Sequence, residues 1–291
     1  MTDYFRFLHP ELPAVRFWLS AANQLRVFSF ICSMKKFVMT VLFAGIVAGG
    51  AFAQTSLNEL GCATVTTKAE MDRLAAYLAA EGSFKTTGLN DTVPLSIHIV
   101  GNDAGAGRYS LDNLFKVICN LNSHFEPAGF YFYIKWPINY IDNSSYYEHT
   151  YWDGYQMMNQ HNVTNSVNVY FVGDPNGACG YYAYGPDAVA IKNSCAGANS
   201  TTLTHELGHF FGLPHTFSGW ENGNTPWNPE LVTRGAFSNC NLTGDYFCDT
   251  DADYIANRWQ CPYSGIKYDA KTGTSTIQTA LCTCPTQLMP A

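Results

Sequence analysis

Charge is what this sequence has least of: Asp, Glu, Lys and Arg make up 13% of 291 residues, and the 16 lysines and arginines form no run. That argues against a nucleic-acid or anionic-membrane surface, both of which need clustered cations. The net charge of −7 reads as an aid to solubility. Membrane-length apolar runs are missing too. The apolar stretch that begins at Phe37 covers about 14 to 17 residues, short of the roughly 20 that span a bilayer, so no stable membrane anchor is expected. Internal repeats and low-complexity linkers are absent, and no cysteine directly follows Ala53, which argues against a lipid-anchored lipoprotein.

What is present is 47% hydrophobic and 15% aromatic, suited to one sizeable globular domain plus processed segments. Met34-Lys35-Lys36, the apolar Phe37 to Gly50 and Ala51-Phe52-Ala53 have the n-region, h-region and cleavage site of a signal peptide over 34–53. Residues 1–33 then read as an extension upstream of a true start at Met34. The protein is expected to be secreted, extracellular or periplasmic, after cleavage near Ala53. Ten cysteines fit an oxidising compartment. Removing Cys32 with the leader leaves nine, an odd number, so at least one is free, metal-bound or without a partner in this chain.

Residues 54–92 read as a short pro-segment. Thr67-Lys68-Ala69-Glu70 is a capping box opening a helix with Met71, Leu74, Ala75 and Leu78 on its apolar face and Gly82 as a stop. A packed domain is expected over 93–291. Leu95 to Val100 alternates like a half-buried strand, with His98 on the solvent side. Ser110 can cap a helix to about Phe125 bearing Leu111, Leu114, Phe115, Ile118 and Leu121 on one side. Phe130 to Trp136, Val167 to Val172, Gly180 to Tyr184 and Ala188 to Lys192 read as strands, followed by a helix from about Thr201. The class is therefore α/β, a mixed sheet with helices layered on it. Beyond Phe217 the chain is irregular and rich in Gly, Pro, Asn and Cys.

The chemistry concentrates in His205-Glu206-Leu207-Gly208-His209-Phe210-Phe211-Gly212-Leu213-Pro214-His215, a HExxHxxGxxH pattern. Histidines four apart share one face of a helix, so His205 and His209 can present ring nitrogens to one metal ion. Gly212 can end the helix in the left-handed conformation and Pro214 cannot continue it, which lets His215 approach as third ligand. Three protein ligands leave a fourth position for water, whose pKa zinc lowers to about 7. Glu206, beside the metal face, is the natural general base, passing the water's proton to the leaving amine. The bland reading, helix histidines with local hydrogen bonds, requires a match expected on the order of 10⁻⁵ times per chain.

Downstream stand Thr216-Phe217, Asn239-Cys240 and Gly244-Asp245-Tyr246-Phe247-Cys248-Asp249-Thr250. With the zinc motif, Leu121 to Phe125 and Val167 to Tyr170, they make residues 95 to 289 resemble the pappalysin (cytophagalysin-like) family of metzincin metalloproteases. The resemblance implies a zinc endopeptidase with an upper subdomain of twisted mixed sheet plus two helices and an irregular, disulfide-rich lower subdomain. It implies a Met-turn, for which Met289 is the candidate. The family's tyrosine two positions later and its following helix are missing here, and Asp251 stands where proline is usual, so the C-terminal end is expected to be truncated.

Gly61-Cys62-Ala63-Thr64 resembles the leader element whose cysteine keeps some relatives latent by binding the zinc; a disulfide at Cys62 is the alternative. Cys119 can be a buried free thiol. Asp245 and Asp249 with Thr250 can bind calcium or simply form turns. Tyr181 to Tyr184 is either an edge along which substrate adds as a strand or a plain hairpin, and Cys179 and Cys195 can bridge beside it. The expected partner is a protein or peptide substrate. A non-catalytic zinc-binding domain and a hydrolase of non-peptide amides are the alternatives.

Overall fold

The computed structural model describes residues 60–64, 66–80, 91–219, 229–231, 233, 235–250, 252–253, 263–269 and 274–280. The signal-peptide segment, the upstream extension, Gly82, Asp251 and Met289 lie outside these residues. The chain divides into two units, one of residues 1–64 and 86–210, the other of residues 65–85 and 211–291.

The first unit is built on a seven-stranded sheet. Its strands are β1 (Leu60–Cys62), β2 (Asp91–Gly101), β3 (Phe130–Ile134), β4 (Asn139–Asp142), β6 (Val167–Val172), β8 (Ala178–Ala183) and β9 (Ala188–Lys192), with a small separate pair, β5 (Glu148–His149) and β7 (Asp174–Pro175). The order is β1-β8-β9-β6-β2-β3, with β4 also on β2. β9, β6, β2, β3 and β4 run parallel, and β8 runs antiparallel to β9. This is the mixed α/β architecture expected of a metzincin-like chain.

Five of the six residues of β6 that would alternate in a one-faced strand are apolar or Tyr, and all six are buried, as befits a central parallel strand covered on both sides. The helix α2 (Leu111–Phe125) starts where Ser110 Oγ accepts from the N–H of Asn113 at 3.3 Å. It buries Leu114, Val117, Ile118, Leu121 and Phe125, whereas Leu111, expected inside, is 38% exposed. Asn122 then fixes the neighbouring strand by accepting from the N–H of Phe132 at 2.7 Å and donating to its carbonyl at 3.0 Å.

The short helix α3 (Ser144–Tyr147) and α4 (Tyr151–His161) follow, the latter capped by Thr150 Oγ1. Met157 and Met158 of α4 pack into a cluster with Tyr170, Tyr181 and Ala183. The expectation of a solvent-facing His98 fails here: the residue is fully buried, stacked on Tyr170 with ring centroids 4.1 Å apart. The other face of β2 is covered, so an imidazole there must be satisfied internally, and it is, by Asn168 Oδ1 and Asn139 Nδ2 at 3.0 Å each. Burial holds its pKa down at about 4.

In the second unit, α1 (Lys68–Ala80) carries the expected capping box: the Thr67 N–H donates to Glu70 Oε2 at 2.6 Å, and the Glu70 N–H donates to Thr67 Oγ1 at 3.3 Å. Leu74 and Tyr77 are its buried residues, and Ala75, expected on that face, is exposed. The same unit contains the antiparallel hairpin of β10 (Tyr263–Asp269) and β11 (Thr274–Ala280), closed in register from Tyr263↔Ala280 to Asp269↔Thr274.

Candidate metal centre and active site

The HExxHxxGxxH motif begins on α5 (Thr202–Phe210), which opens where Ser200 Oγ accepts from the N–H of Thr202 at 3.1 Å. The helix packs on β8 and β9 and against α2, where Thr204 Oγ1 meets His124 Nδ1 at 2.8 Å. Its i,i+4 pair converges as the spacing predicts, with the Nε2 atoms of His205 and His209 3.1 Å apart. Gly212, at φ 84°, takes the left-handed turn the sequence requires before Pro214. His215 belongs to the second unit, where it is buried and stacked on Phe217.

Cys62 arrives from the far side of the chain. β1 pairs in parallel with the outer side of β8, in register Leu60↔Ala178 and Cys62↔Gly180, so the expected edge strand is already occupied. That register carries the Cys62 sulfur to 3.5 Å from His209 Nε2 and 3.6 Å from Glu206 Oε2. The ligand atoms of Cys62, His205 and His209 all lie within 4.8 Å of one another. Cys62 is the free cysteine among the described residues, which removes the disulfide alternative.

Glu206 is fully buried, and burial pushes its carboxyl up to about 8 against the opposing hydrogen bonds of Cys62, Thr64 and the Tyr182 backbone. Burial, then the neighbouring Glu206 charge, push the Cys62 thiol up as well. Two further residues hold this carboxylate. Thr64 Oγ1 donates to Glu206 Oε2 at 3.1 Å and accepts from the N–H of Tyr182 at 2.8 Å. Gly180 lets the carboxylate approach the strand, since a Cβ there would meet Glu206 Cγ and Oε1 at 3.0 Å. Thr64 lies inside the Gly61 to Thr64 element of the sequence, whereas nothing local in the sequence marks Gly180.

The spacing fits a tetrahedral ion. Two nitrogens at zinc bond lengths stand ~3.3 Å apart, and a nitrogen and a thiolate sulfur ~3.6 Å. The observed 3.1 and 3.5 Å are close to both.

No protein-family model matches the chain. Curated relatives do. An extracellular metalloprotease of Sordaria macrospora is 27% identical over 241 residues, covering 74% of this chain and 82% of its own length. One of Colletotrichum graminicola is 27% identical over 221 residues, 65% of this chain and 75% of the relative. One of Arthroderma gypseum is 25% identical over 225 residues, 70% of this chain and 73% of the relative.

The other cysteines sort themselves out. Cys179 and Cys195 form the expected bridge, with Cα atoms 5.4 Å apart, and Cys240 pairs with Cys248. Cys119 is disulfide-bonded, which corrects its reading as a free thiol; a cysteine inside a helix is no less able to bridge outward. In the second unit Asp245 is buried, with Oδ1 accepting from the Phe247 N–H at 2.9 Å and Oδ2 from the Thr250 hydroxyl at 2.8 Å. Asp249 is exposed, whereas Glu230, not singled out in the sequence, is buried against Gly244. No described helix is long and apolar enough to cross a membrane.

Proposed function

We propose that the chain is a secreted zinc endopeptidase, with His205, His209 and His215 as ligands, Glu206 as general base and Cys62 as its latency switch. The observation that carries this reading is the convergence of two imidazoles and a thiol on one point beside a buried carboxylate. The assignment of His215 rests on the HxxGxxH spacing and on the turn at Gly212. The names of the relatives, the disulfides of Cys119, Cys179–Cys195 and Cys240–Cys248, and the signal-like segment 34–53 support export.

When bound, zinc would polarise the scissile carbonyl and lower the pKa of a bound water to about 7. Glu206 is set to take that water's proton and deliver it to the departing nitrogen, because its carboxylate stands beside the converging ligand atoms. Gly180 and Thr64 fix where its oxygens stand. While β1 covers β8, Cys62 would supply a thiolate to the ion in place of water, and an extended substrate would find that strand occupied. The leader runs parallel to β8, and a protein or peptide substrate replaces it there when the leader is released. A structural calcium at Asp245, Asp249 and Thr250 is part of the proposal, supported by the buried Asp245 carboxylate and its Thr250 partner. It is tested by the rise in melting temperature on adding calcium.

Hydrolysis of casein or gelatin by the activated protein, with and without chelator, tests the reading together with Glu206→Ala. Chelation should abolish turnover, and Glu206→Ala should abolish it while the zinc content stays at one per chain. Zinc bound without any hydrolysis would instead establish a non-catalytic zinc-binding domain.

A further inference from the structure

Strands that add to β8 present alternate side chains to opposite faces of the sheet. β1 demonstrates which faces these are. Cys62 turns toward α5 and its histidines, whereas its neighbour Ala63, whose N–H donates to the Gly180 carbonyl at 3.0 Å, packs against the cluster of Met157, Met158 and Tyr181 on the α4 side. Any extended peptide in place of β1 must likewise send every second side chain over α4.

That side carries rings out of proportion to its surroundings. Tyr151 leans on Tyr181 with centroids 5.2 Å apart, and Tyr181 itself is held from below by His149 Nε2 at 2.9 Å. On α4, Trp152 and Tyr155, three residues apart, stack in parallel, 3° between planes and 5.8 Å between centroids. Tyr155 abuts Gly185, where an added Cβ would meet its ring at 2.8 Å, so the rings run from the middle of β8 to just past its end. Trp152 is 65% exposed and Tyr151 43% exposed. An exposed Trp152 stacked on a half-buried Tyr155, which abuts Gly185 just past the end of β8, is a preformed apolar surface with little ordering left to do on binding.

We propose that Tyr151, Trp152 and Tyr155 are specificity-determining residues that select peptide substrates with a large apolar side chain, aromatic or long aliphatic, at the positions pointing away from the metal ligands. The inference rests on the endopeptidase reading above and extends it to substrate class. A peptide antiparallel to β8, the more stable pairing, first passes Gly185 and the rings and only then reaches Gly180 and Glu206. The selected side chain therefore precedes the scissile bond. Replacing a ring that a large side chain packs on typically costs about tenfold in kcat/KM.

Cleavage-site profiling on a peptide library compares the activated wild type with the Trp152→Ala/Tyr155→Ala variant. The wild type should enrich Phe, Tyr, Trp or Leu two to four residues before the cut. The variant should lose that enrichment, with kcat/KM about tenfold lower on the best peptide, through KM, and unchanged on its alanine counterpart. Superimposable profiles overturn the proposal and leave the protease reading intact, whereas a wild type that cleaves nothing sinks that reading. A second measurement needs no cleavage: alkylation of Cys62 in the full chain with a blocked tetrapeptide of phenylalanine added. Binding along β8 displaces β1 and should speed labelling several-fold in wild type and not in the variant; equal rates in both overturn the proposal.

Discussion

The sulfur of Cys62 lies 3.5 Å from Nε2 of His209, across 147 residues of sequence. Replacing Cys62 with serine keeps the shape and removes a thiolate donor, so the lag before casein hydrolysis should shorten markedly and basal activity should rise. An unchanged lag in a progress curve of freshly purified protein would remove Cys62 from the latency mechanism.

Thr64 ties the same leader to both the strand and the carboxylate. Thr64→Val deletes a donor to Glu206 and an acceptor for Tyr182, leaving a buried N–H without its partner, a loss of about 1–3 kcal/mol. Hydrogen exchange at the Ala63 amide should accelerate by roughly tenfold or more; protection equal to wild type would mean that backbone pairing alone holds the leader.

Gly180→Ala should lower kcat about tenfold with the fold retained, because the new methyl meets Glu206 Cγ and Oε1 at 3.0 Å and must push the carboxylate from its place. Circular dichroism and steady-state kinetics check the two halves of this statement separately.

Acid should weaken the fold through His98. Its folded pKa, about 4, lies below the unfolded 6.5, so the unfolded chain binds more protons between those values and stability falls as pH drops through that window. The loss accumulates to roughly 3 kcal/mol by pH 4. His98→Gln should be less stable at pH 7 yet show a flatter decline in denaturant midpoint from pH 6.5 to 4. Parallel declines in the two proteins would place the acid sensitivity elsewhere.

The Cys179–Cys195 bridge fastens the start of β8 to the turn leading into α5. Changing both residues to alanine should lower unfolding free energy by about 3 kcal/mol, read from urea titration; an unchanged midpoint would show that packing alone fixes the strand.

The parts of the site that could be read from the sequence are those carried by short-range geometry. His205 and His209 meet because four residues make about one helical turn, Ser110 caps because its hydroxyl is three residues from the amide it accepts, and Gly212 turns because the helix has to stop there. His98 was misread because alternation in one strand reports the strand's own two faces and says nothing of what covers them. α4 escaped notice because Tyr151 to His161 mixes aromatic, amide and apolar residues without a clean apolar stripe. The contacts of Thr64 and Cys62 with α5 join residues more than 140 apart, a distance over which no periodicity carries information.

The pairing of β1 with β8 has a consequence outside the chemistry. On the proposed reading, release of β1 would open the outer edge of β8 to whatever extended chain comes near, including another copy of the protein. The edge that makes a protease useful is the same edge that makes a β-sheet protein aggregate. On the proposed reading this three-residue strand would also act as a sheath against such pairing, and the timing of its loss would set colloidal behaviour as well as activity.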